Sequence, residues 1–254
     1  MNLDLASLAF LLPALAAGLI VSATHVPLGI EVLARGIVFI DLAVAQIAGL
    51  GVILADSLGF EPQGGAVQVA ALSAALAGAL FLYWTERRWP EVQEAIIGLA
   101  FVVTSSLAIL LLAHNPHGGE HLKDLLAGQI LWVGPARLAV DALIYAGLFA
   151  LWALLRARLG RLGFYLLFAC VVTISVQLVG LYLVFATLVT PALATYYTKS
   201  RRYAKAFGIA AIGYAAGLAL SALTDLPSGA MIVCAMAGTG ILFAFFPGRA
   251  AAPR

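Results

Sequence analysis

Nine apolar windows divide this chain, each about as long as a bilayer crossing, and only short charged segments separate them. A spanning helix needs about 20 mostly apolar residues. Such windows lie near 8–33, 37–58, 66–84, 95–113, 137–155, 164–180, 182–198, 206–223 and 229–247. The chain is 63% hydrophobic and 10% charged, with a mean hydropathy of +1.05. A water-soluble domain carries about 25% charged residues. The expectation is an all-α, polytopic membrane helical bundle of eight or nine transmembrane helices. Neither an internal repeat nor a linker marks a second domain, so 1–254 reads as one transmembrane domain. Met1 to Ser7 lacks a basic n-region, so the first window reads as a retained helix. The stretch 164–198 has no charge before Lys199. Gly180 and the pair Thr190–Pro191 punctuate it, which predicts a break or a kink there.

The basic residues give an orientation. Twelve of the fourteen Lys and Arg fall in one set of loops: Arg35, Arg87, Arg88, Arg156, Arg158, Arg161, Lys199, Arg201, Arg202, Lys205, Arg249 and Arg254. Only Lys123 and Arg137 fall on the other side. The positive-inside rule places the first set in the cytoplasm, the C-terminus with it, and the N-terminus outside. The loop 114–124 is then external. Small residues at Gly49, Gly51, Ala71, Ala74, Ala75, Gly78, Gly213 and Gly217 allow close helix approach. Cys170 and Cys234 lie in apolar windows with no C-x-x-C spacing, and read as small core hydrophobes. Leu125–Pro135 is too short to span and reads as a re-entrant or interfacial piece.

Asp41 stands out, because a carboxylate near the start of an apolar window is costly unless it faces the bundle interior, pairs, or binds a cation. If the first two windows form a hairpin turning at Arg35–Gly36, His25 and Gln46 lie about 15 Å above the turn and Asp41 about 8 Å above it, near the level of Glu31. Imidazole, carboxylate and amide oxygen suit borderline divalent metals such as zinc, manganese or iron. Asp41 also admits a plainer role as a helix-start residue capping backbone amides, and His25 one as a packing histidine. The segment 114–121 holds His114, His117, Glu120 and His121 in the spacing H-x2-H-x2-E-H, three of the chain's four histidines. These four side chains can meet around one ion, with Gly118 and Gly119 letting the backbone fold back. A solvated histidine-rich loop is the alternative. Thr104, Ser105, Ser106, Thr173, Ser175, Gln177, Thr187, Thr190 and Thr195 read as packing residues, the hydroxyls bonded back to helix carbonyls or across helices. Asp141 reads as the i+4 ion-pair partner of Arg137. The absence of G-x-x-x-x-G-K-[ST] means that the chain does not hold ATP by the P-loop route, and no Ser-His, Cys-His or H-E-x-x-H arrangement suggests a protease.

Three segments resemble the permease subunits of zinc/manganese/iron-type ABC importers. Pro27–Gly51, PLGIEVLARGIVFIDLAVAQIAGLG, is similar to the family pattern "PLG…V…RR…GDxLxHAxLxG". Val179–Ala194, VGLYLVFATLVTPALA, is similar to "vGxLLVxALLixPaaxA". Asp225-Leu-Pro227-Ser-Gly229 is similar to "D-x-P-x-G" before the last helix. The resemblance implies that Asp41 belongs to the metal path. Where the family carries a His four residues later, this chain has Ala45, with Gln46 next, so His25 would supply the imidazole from the neighbouring helix. It further implies a homodimer in the lipid of a bacterial inner (plasma) membrane, crossing it many times, with a cytoplasmic ATPase subunit and an extracytoplasmic metal-binding protein as partners. No nucleic acid is expected as a partner. The chain would be no enzyme itself and would hold no permanent cofactor, only the transported divalent metal. The segment Arg156–Gly163 is shorter than the family's cytoplasmic segment, which favours a second reading, an ATPase-independent carrier or channel. An ABC permease for a metal chelate is a third reading. On the first reading, metal would meet His114, His117, Glu120 and His121 outside, pass by His25, Gln46 and Asp41, and leave beside Glu31.

Overall fold

The computed structural model describes residues 5–60, 64–113, 126, 128, 130–155, 158 and 160–245. Among them are nine α-helices, two 3-10 turns and no strand. The helices are α1 (Leu5–Arg35), α2 (Ile40–Ser57), α3 (Gly65–Arg88), α4 (Gln93–Leu112), α5 (Pro135–Leu155), α6 (Gly160–Val179), α7 (Leu181–Ala194), α8 (Arg202–Thr224) and α9 (Ser228–Phe245). The turns are Pro90–Val92 and Ile130–Trp132.

Every apolar window is a helix, and eight of the nine described helices are long and apolar enough to cross a membrane. The exception is α7. Its window extends to 198, but the helix ends at Ala194 after 14 residues, about 21 Å at 1.5 Å per residue, against a hydrocarbon core of about 30 Å. The chain breaks at Gly180, whose φ of +84° lies where an L side chain is strained. Pro191 lies inside α7 without ending it. Gly180 and most of α7 are buried, which is the setting in which a helix break at membrane depth is tolerated.

The helices fall into two compact units. The first comprises 1–35, 127–146 and 178–254. In it α1 packs on α7 and α8, and α9 packs on α7 and α8. Small residues set these distances. A Cβ at Gly29 would collide with the Leu188 carbonyl, and one at Gly217 with the Ile232 backbone. The short piece expected within 125–135 is seen here as the turn Ile130–Trp132, with Ile130 buried and Trp132 exposed. Ahead of it Gly128 takes φ +67°, and a Cβ there would strike the Val179 carbonyl, so both the backbone conformation and the close approach require glycine.

The second unit comprises 36–126 and 147–177. Helix α2 packs on α3 and α4, with Gly51 against Ala70 and Ala74 and Gly78 against Ile47. Of α2's window 61% is buried, against 17% for that of α4, so α2 is a core helix and α4 presents most of its surface outward. At the end of α3 the rings of Trp84 and Trp89 meet edge to face at 5.3 Å, and the Arg88 guanidinium lies 5.6 Å from the Trp89 ring centre. Exposed Trp beside Arg is the composition of a membrane–water interface.

Seven hydroxyls do bond back to helix carbonyls: Thr104, Ser105, Ser106, Thr173, Ser175, Thr187 and Thr195. Arg137 meets Asp141 at 3.4 Å. The cysteines depart from the expectation of core residues. Cys234 is exposed and Cys170 half-buried, because the apolar face of a membrane helix need not face the core.

Candidate cation site

The first two apolar windows part at Arg35–Gly36, as the sequence predicts. Helix α1 ends at Arg35, Gly36 takes φ +71°, and α2 starts at Ile40. Asp41 therefore sits in the first turn of α2. The positive end of the helix dipole favours an anion there. Asp41 is not the cap, however. Phe39 occupies that position and no side chain caps the helix. The Asp41 side chain is wholly buried, and neither carboxylate oxygen has a hydrogen-bond partner. A buried carboxylate with both oxygens unsatisfied is among the most costly groups a fold can carry.

A second carboxylate lies nearby. Glu94, in the first turn of α4, accepts the Phe39 N–H through Oε1 at 3.2 Å. Its other oxygen, Oε2, is buried and unpartnered, and its charge acts on Asp41. Glu94 is held in place by its neighbour. Gln93 donates from Nε2 to the Leu82 carbonyl at 2.9 Å and accepts from Thr85 Oγ1 at 3.0 Å, which pins the start of α4 to the end of α3. Sequence reading missed Glu94. The signal that singled out Asp41, an acid in the first turn of an apolar helix, applies equally to Glu94. It was masked by the charged run 86–94 that precedes α4.

Gln46 is buried five residues beyond Asp41 on α2. In the first unit, His25 is fully buried in the middle of α1. Its Nδ1 lies 3.0 Å from the Val21 carbonyl and 3.2 Å from Thr24 Oγ1. A carbonyl can only accept, so Nδ1 carries a proton, and in the neutral imidazole this leaves the lone pair at Nε2. That atom is buried and unpartnered. A histidine whose far nitrogen is fixed by a carbonyl is oriented as a metal-ligating imidazole is. Glu31 is engaged otherwise: its Oε1 accepts Arg35 Nε at 3.0 Å and Nη2 at 2.8 Å. Among the described residues, no three His, Cys, Asp or Glu side chains converge as a ready-made metal cage. His114, His117, Glu120 and His121 lie outside the described residues.

The model of the ABC 3 transport family matches residues 7–159 and 149–246. No curated protein matches the chain. Among solved structures, a chain of PsaBC from Streptococcus pneumoniae, determined in complex with Fab, superposes with a TM-score of 0.70 at 22% identity, over 94% of this chain and 91% of that one. An inward-facing ABC transporter assigned to the metal-chelate type superposes with a TM-score of 0.65 at 14% identity, over 92% of this chain and 85% of that one. At these identities the likeness is one of fold.

Proposed function

From the premise that this chain belongs to the ABC 3 transport family, as a multi-pass membrane subunit, we propose that it is the permease of an ATP-driven importer for divalent transition-metal ions. The observation that carries the reading is Asp41, a wholly buried carboxylate with both oxygens unpartnered at the start of a core spanning helix. Inside a membrane such a group marks a cation path. A divalent ion offers the charge and the ligand bonds that the fold leaves unmet. In the other unit, the buried and unpartnered Nε2 of His25 is by itself a nitrogen donor of the kind zinc, manganese and iron accept.

On this reading ATP is hydrolysed by a separate cytoplasmic ATPase, two copies of this chain pair in a bacterial inner membrane, and an extracytoplasmic metal-binding protein delivers the ion. Gln46 adds an amide oxygen beyond Asp41. The loop residues His114, His117, Glu120 and His121 receive metal outside, and Glu31 lies at the inner end of the path. Likeness to a metal-chelate type transporter keeps one rival cargo in play, a metal bound to a chelator.

Uptake of radiolabelled zinc, manganese and iron by host cells carrying the intact chain, Asp41→Asn, or a deletion tests the proposal. The expected result is uptake of at least one free ion by the intact chain. Asp41→Asn, present in equal amount in the membrane, should reduce it by about a hundredfold or more, since losing even an outer-shell partner of a metal ligand costs about 10–100-fold. Uptake of a metal chelate alone would transfer the reading to that cargo. Normal uptake by Asp41→Asn would remove Asp41 from the path.

A further inference from the structure

Two carboxylates at the start of neighbouring helices could be mere interface residues. Here, however, three of their four oxygens are buried without partners: Oδ1 and Oδ2 of Asp41 and Oε2 of Glu94. The fourth, Glu94 Oε1, is tied to the Phe39 N–H, two residues ahead of Asp41. Both groups belong to one compact unit, on the packed pair α2 and α4. The Gln93 link to Leu82 and Thr85 fixes the helix start that carries Glu94. Like charges brought together repel, and no other side chain donates a hydrogen bond to any of the three oxygens.

We propose that Asp41 and Glu94 together form a divalent-cation site at the adjoining starts of α2 and α4, with Glu94 as the second carboxylate ligand. The inference rests on the reading of the chain as a metal permease and adds to it a residue and a place. Two carboxylates match the charge of one divalent ion. Three free oxygens in two side chains leave the remaining positions to water, as hard and borderline cations accept. The charge pattern puts Arg35 and the segment 85–94 on the cytoplasmic side. The site thus lies at the inner end of α2, where an ion leaves the membrane rather than where it is selected.

Glu94→Gln is the informative change. The amide oxygen still accepts the Phe39 N–H, so the helix start is kept while the charge is lost. Zinc and manganese, each as the ion alone, are titrated calorimetrically into the full chain purified in detergent. The intact chain, Glu94→Gln, Glu94→Asp and Asp41→Asn are compared. The expected result is binding by the intact chain, weakened about tenfold or more in Glu94→Gln and in Asp41→Asn, and largely retained in Glu94→Asp, which keeps the charge. Unchanged affinity in Glu94→Gln with loss in Asp41→Asn would overturn this inference and leave the permease reading standing. An intact chain that binds neither ion would overturn both.

Discussion

Two buried polar clusters in this molecule are built in opposite ways. In the first unit Thr187 and Tyr214 are both fully buried. The Thr187 hydroxyl reaches the Leu183 carbonyl at 2.6 Å and the Tyr214 hydroxyl at 2.9 Å. Thr187 donates to the carbonyl, which can only accept, and Tyr214 then donates to Thr187, so both hydroxyl protons are placed. In the second unit Asp41 is wholly buried and Glu94 half-buried, yet three of their carboxyl oxygens have no partner. Burial alone does not separate a packing residue from a binding one, whereas satisfaction does. A polar group buried for packing finds its partner within the fold. One buried for a ligand leaves its partner outside it.

The comparison breaks most readily at Asp41. Asp41→Asn replaces an unpartnered buried carboxyl group by an amide of the same shape, which costs no more to bury. Without metal the variant should unfold at the same temperature as the intact chain, or higher. With saturating zinc or manganese only the intact chain should gain, since a ligand stabilises the state that binds it. A metal-dependent gain in Asp41→Asn equal to that of the intact chain would place the site elsewhere.

The next effect concerns packing. Gly29→Ala puts a methyl group on the Leu188 carbonyl, which forces α1 and α7 apart. It should destabilise the detergent-purified chain by about 1–3 kcal/mol, read from denaturant unfolding. A variant as stable as the intact chain would mean that this helix contact yields easily.

The smallest effect belongs to the satisfied cluster. Tyr214→Phe removes one hydrogen bond and leaves Thr187 on its carbonyl. A loss of about 0.6 kcal/mol is expected, the average for a polar contact between membrane helices, with metal uptake unchanged. If Tyr214→Phe impaired uptake as severely as Asp41→Asn, the contrast between the two clusters would lose its meaning.

Much of this was legible in the chain, because continuous apolar runs leave a helix few alternatives. The turn at Gly36 was marked by glycine and by charge, the break at Gly180 by glycine alone. The short length of α7 was not. Tyr196 and Tyr197 extend the apolar run, while the backbone has already turned at Thr195–Thr198. Asp41 was legible because charge is rare in an apolar window. Its alternative role as a helix cap was equally legible, and the geometry at Phe39 decides against it. Glu94 was hidden for a physical reason. Its link to Phe39 joins residues 55 apart in sequence, and no local pattern encodes which two helix starts will meet. The Glu31–Arg35 pair, by contrast, is an i,i+4 contact that sequence spacing announces.

The central claim is that Asp41 binds the transported ion, and anomalous X-ray diffraction from crystals of the transporter grown with zinc or manganese addresses it directly. The account predicts an anomalous peak about 2.0–2.2 Å from an Asp41 carboxylate oxygen. A saturated crystal with no peak there, and with the Asp41 oxygens bonded instead to a basic side chain or to water, would contradict it.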